Sequence, residues 1–165
     1  MRLCLLALLL LTPLAGAAPD CQPAADAALA ALNALRAEAR PCGERVWPAV
    51  PALRADARLA EAAQHHAVRL AEQDRLDHAA GASLRTRLRE AGYVMRLAGE
   101  NLAGGPETLD EALAQWLASP AHCENLMLAD FQEFGLACVS GPGRLQRYWV
   151  LELALPARSS PGRSP

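Results

Sequence analysis

Residues 116–127 read WLASPAHCENLM and set His122 beside Cys123, the two side-chain types of a thiol nucleophile and its base. Neighbouring residues on a helix do not face each other. A catalytic cysteine must also stay a free thiolate, and the cysteine count argues against one. His122 falls near the third position of a helix opened by Ser119-Pro120. The positive end of that helix favours a neutral imidazole, able to ligate a metal or accept a proton. Partners for it are His78, in RLDHAAG, and Glu100, in AGENLAGG. On spacing alone, a histidine hydrogen-bonded into a helix junction is the better account of His122.

These residues belong to a chain that begins MRLCLLALLLLTPLAGAAPD. A basic start, a short leucine-rich run and an A-x-A exit predict a signal peptide over 1–17, cleaved near Ala17. Cys4 leaves with it, so Cys21, Cys42, Cys123 and Cys138 remain, an even number suited to two disulfides in an exported protein. Three connectivities are possible. Cys123–Cys138 would close a loop of about 15 residues, contributing roughly 3 kcal/mol, and Cys21 with Cys42 would bracket the first helix. A net charge of -2 offers no basic field for nucleic acid and no polybasic membrane patch. No stretch approaches a stable membrane anchor. A monomer with one domain over 18–156 and a disordered Pro/Ser-rich tail over 157–165 is expected.

The elements that must position the histidines follow from periodicity. Leu29, Leu32 and Leu35 mark an amphipathic helix stopped by Pro41 and Gly43. GERVWPAVPAL reads as loop. A second helix runs from about Asp56 to Gln73, with Leu59, Ala63, His66 and Leu70 on its inner face; His66 there is a satisfied core histidine and His65 faces solvent. A shorter helix spans Ser83 to Gly92, and VMRLAGENLAGG is a strand leading into a loop. Thr108 with Glu111 forms a capping box for a fourth helix, and Ser119-Pro120 caps the fifth. FGLACVS and RLQRYWVLELAL form a hairpin through GPGR. Helices first and strands last predict an α+β fold, helices packed over a small antiparallel sheet.

The segments SLRTRLREAGY, GENLAGG, ETLDEALAQWLASPAHCENLM, FQEFGLACV and YWVLELA, in this order, resemble the bacterial branch of the CAP superfamily. That superfamily takes in cysteine-rich secretory proteins, antigen-five allergens and pathogenesis-related proteins. The resemblance runs from about Ala28 to Leu155. It implies a three-layer α-β-α sandwich and a cleft lined by two His and two acids. His78, Glu100 and His122 match three of the four; the fourth acid would stand at Ser119, which is not acidic. Two histidines and one carboxylate form an incomplete ligand set for Zn²⁺ or a similar divalent cation, with His78 and His122 as the imidazole ligands. Arg87, Asn101, Trp116 and Asn125 read as structural: Arg87 paired with a carboxylate, Asn101 and Asn125 on backbone, Trp116 a core anchor. The implied function is an exported binding module for lipid, peptide or another small molecule. The alternative is a metal-assisted hydrolase using Glu100 with His78 and His122. No H-E-x-x-H or G-x-S-x-G motif is present, and the reading leans away from an enzyme.

Overall fold

The computed structural model describes residues 21–157; the segment read as a signal peptide and the tail beyond Ala157 lie outside them. Helix α1 (Ala25–Arg36) is followed by the short strands β1 (Arg40–Cys42), β2 (Arg45–Trp47) and β3 (Arg54–Ala55). Next come α2 (Ala57–Gln73), α3 (Leu84–Glu90), β4 (Met95–Gly104), α4 (Leu109–Ala118), α5 (Pro120–Met127), β5 (Glu133–Ser140) and β6 (Arg147–Pro156). The helix starts follow local chemistry. Asp56 accepts from the Arg58 and Leu59 N–H groups, Ser83 from Thr86, and Thr108 with Glu111 forms the reciprocal capping box. Ser119 is the N-cap of α5, but its side chain makes no capping hydrogen bond; Pro120 at the first position provides the start signal instead.

The main sheet has the order β3-β5-β6-β4. Its long strands are antiparallel, whereas β3 pairs parallel with β5, so the sheet is mixed rather than purely antiparallel. Side chains alternate across it with period two. On β6, Trp149, Leu151 and Leu153 join the core beneath α1, α4 and α5. Tyr148, Val150 and Ala154 pack on the other face with residues of α2 and α3. The result is an α+β sandwich with helices on both faces of the sheet. Gly135 on β5 permits this closeness: a Cβ there would meet the Leu59 carbonyl carbon and the Ala60 nitrogen, both at 2.1 Å.

Several expectations need correction. The stretch read as loop contains β2, which pairs with β1 just before it in a hairpin that turns at Gly43 with φ +63°, a conformation glycine adopts without a Cβ penalty. The strand read in VMRLAGENLAGG is β4, which stays paired with β6 as far as Gly104 before the loop begins. The final turn is longer than GPGR: β6 begins only at Arg147. The disulfides are Cys21–Cys138 and Cys42–Cys123, with Cα–Cα distances of 5.6 and 5.4 Å, not Cys21–Cys42 and Cys123–Cys138. The 12 residues of α1 carry the chain about 18 Å, and its start is tied to β5. Its far end leads into β1, which packs against α5. Among the described residues no helix is long and apolar enough to cross a membrane.

Candidate functional site

The edge strand β4 carries the centre of the site. Leu102 joins the core on the α2 side, and Ala103 joins the core on the α5 side. Strand alternation then turns Glu100 towards α2 and α3, and Asn101 towards α5. Glu100 is buried, its side chain only 3% exposed. His78, in the loop between α2 and α3, donates Nδ1–H to Glu100 Oε1 at 2.6 Å. Arg87 of α3 donates from Nη2 to Glu100 Oε2, and from Nη1 to the His78 and Ala82 carbonyls at 2.9 and 2.7 Å. Arg87 thus pairs with a carboxylate and also holds the backbone of the residue it serves.

Two further buried residues complete the cluster. Glu152 stands opposite Glu100 in the β4–β6 register, with Oε1 3.6 Å from Arg87 Nη2. Neither of its oxygens has a hydrogen-bond partner. His66 of α2 is fully buried, 3.6 Å from Glu100 Oε2 through Nε2, and both ring nitrogens lack a hydrogen bond. It is a core histidine, though not a satisfied one. The sequence carried one signal for Glu152: a lone acid in the apolar run YWVLELAL, at a position whose i−2 and i+2 neighbours, Val150 and Ala154, are core.

Electrostatics separate the four residues that a proton could reach. Burial pushes Glu100 up, but the hydrogen bond from His78 and the charge of Arg87 outweigh it and hold the carboxyl below its usual range. Burial, with the Glu100 charge next, pushes Glu152 well above that range. The hydrogen bond to Glu100 raises His78, while burial lowers His66. The cluster therefore favours the ionised form of Glu100, the protonated form of Glu152 and the neutral form of His66 around one guanidinium. His78 relays the buried charge outward, its side chain 62% exposed.

His122 lies on the other side of the β4 edge. Its carbonyl accepts from Asn101 Nδ2 at 2.9 Å, and Asn125 Nδ2 reaches Asn101 Oδ1 at 2.9 Å and the Glu100 carbonyl at 3.3 Å. The Trp116 indole donates to the Leu102 carbonyl at 2.9 Å, and α5 is fixed further by Cys42–Cys123 and by buried Arg36 on the Leu126 and Leu128 carbonyls. The His122 ring is half-buried, and burial, then the charge of His78, lowers it. Its imidazole is neutral, as the helix-start argument expected, but burial is the main cause.

The residues do not fit the metal site drawn from sequence. Among the described residues no group of three His, Cys, Asp or Glu side chains is placed to hold a metal ion. Glu100 gives its oxygens to His78 and Arg87, and the His122 backbone is held by Asn101 on the α5 side of β4. Ser119, where a second acid was expected, stands at the N-cap position of α5; the second acid of the cluster is Glu152 on β6.

Residues 29–153 match the cysteine-rich secretory protein family, CAP. Solved structures agree in fold. An SCP-domain extracellular protein of Bacillus anthracis superposes with TM-score 0.57 at 25% identity, over 64% of this chain and 34% of that one. An outer surface protein of Borrelia burgdorferi gives TM-score 0.60 at 24% identity, over 66% of this chain and 80% of that one. A venom allergen-like protein of Schistosoma mansoni gives TM-score 0.50 at 14% identity, over 80% of this chain and 83% of that one. This chain spans about a third of the length of the Bacillus protein. A sequence comparison with curated proteins returns no match. With its family match covering most of the chain and the sandwich shared with these proteins, the chain belongs to the CAP family.

Proposed function

We propose that the protein is an exported, monomeric binding module that holds the polar end of a small organic ligand, a lipid or a peptide, at the rim formed by His78 and His122. The observation that carries this reading is the His78–Glu100 pair, in which a buried carboxylate favours the protonated form of an exposed imidazole. A cationic His78 presents its outer N–H to an acceptor, and the neutral His122 across the β4 edge can accept or donate. Two disulfides and the A-x-A leader support export. The hydrolase reading has less support. A general base must reach the proton it abstracts, and Glu100 is buried with both oxygens engaged. Native mass spectrometry of wild type and His78→Ala, purified from an exporting bacterial host, tests the proposal. A co-purifying organic mass on wild type that is lost from the variant is expected; equal retention on both, or none on either, overturns it.

A further inference from the structure

We infer that Arg87 is the built-in cation of this cleft: its guanidinium takes the position between Glu100 and Glu152 that a divalent metal would otherwise fill. Three observations converge on it. First, the two carboxylates oppose each other directly in the β4–β6 register, and both are buried. Facing carboxyl groups in a low-dielectric interior favour a cation held between them over two bare negative charges. Second, one Arg87 nitrogen meets both acids, pairing with Glu100 Oε2 and lying 3.6 Å from Glu152 Oε1. Third, the other terminal nitrogen is anchored on the His78 and Ala82 carbonyls, so the planar fork is held by backbone and cannot swing away.

The groups facing the pair from the packed elements are accounted for. His66 comes from α2, His78 from the α2–α3 loop and Arg87 from α3, while β5 places Gly135 opposite Glu152 and adds no charge. A metal ion entering here would have to displace His78 from Oε1 and face a fixed positive charge within bonding distance of the same carboxylate. Arg87 is thus a positioning residue that keeps Glu100 directed at His78 and excludes divalent cations. This inference stands apart from the proposed organic ligand: it concerns which cation the buried acids keep.

The test is Zn²⁺ titration, by calorimetry and thermal unfolding, on the full mature chain. Wild type should show no uptake that depends on Glu100. Arg87→Met, which keeps the apolar stem but removes the charge, should bind Zn²⁺ at least about tenfold more tightly than wild type and melt at higher temperature with the metal. Arg87→Met/Glu100→Gln should lose that gain. Arg87→Lys, whose ammonium can replace the charge, should remain metal-free. Uptake by wild type that Glu100→Gln removes would overturn the inference. So would a folded Arg87→Met without added affinity, or its failure to fold both with and without Zn²⁺. Equal Zn²⁺ gain in Arg87→Lys and Arg87→Met would overturn it as well.

Discussion

Two carboxylates lie at the same face of β6, and their surroundings could hardly differ more. Asp74, the left-handed C-cap of α2 with φ 47°, accepts from the Arg144 and Leu145 backbone N–H groups at 2.8 and 3.1 Å and from the Tyr148 hydroxyl at 2.6 Å. The Tyr148 bond first, then the backbone bonds, pull its carboxyl down to about 2. Glu152 lies four residues beyond Tyr148 on that strand and has no hydrogen-bond partner for either oxygen. One acid is ringed by donors and ionised; the other is buried, faces a second acid and is pushed up. Donors that converge on a carboxylate make a fastening for the final turn. Acids that outnumber their cation, with orphaned polar atoms alongside, cost stability.

The largest test of this contrast is Arg87→Met. Removing one partner from a buried ion cluster costs about 3–5 kcal/mol, so urea unfolding at pH 7 without metal should show a loss in that range. A loss under about 1 kcal/mol, the range of exposed pairs, would show that the cluster does not depend on its guanidinium.

Glu152→Gln sharpens the comparison through pH. A carboxyl raised in the folded state contributes stability that is present below the unfolded value, about 4.3 for Glu, and lost as pH rises through the folded value. Wild type should therefore weaken across this rise, and Glu152→Gln, which keeps the neutral shape, should weaken less. Parallel unfolding midpoints for the two proteins from pH 5 to 9 would place the proton elsewhere.

The smallest effect is expected at Asp74→Asn. Asparagine tolerates the left-handed backbone, so the substitution isolates the carboxylate. A lowered carboxyl contributes stability present above its unfolded value, about 3.9 for Asp, and lost as pH falls through about 2. The melting-temperature gap between wild type and variant should close over that window. A gap that persists at pH 1.5 would mean that shape, rather than charge, fastens the turn.

Features legible in the sequence were those decided within about a turn of helix or two residues of strand. Asp56, Ser83 and the Thr108–Glu111 box start their helices because a cap bonds N–H groups two or three residues away. The apolar stripe of α2 and the alternation in β6 are equally local, and they fixed the fold class before any contact was known. His78, Glu100 and His122 were legible as types, and His78 with Glu100 does form a pair.

Only the tertiary structure decided the partners. The disulfides join residues 117 and 81 apart in sequence, and no local rule distinguishes them from the shorter pairings. Whether His122 met Glu100 depended on which face of β4 each approached, set by the register with β6 across some fifty residues of chain. The same register brought Glu152, an unremarked acid near the end of the chain, opposite Glu100 and under Arg87. Propensity acts along the chain, whereas charge acts through space; the sequence alone determined the helices and strands, and the packing of the sheet determined which charges must share one buried cation.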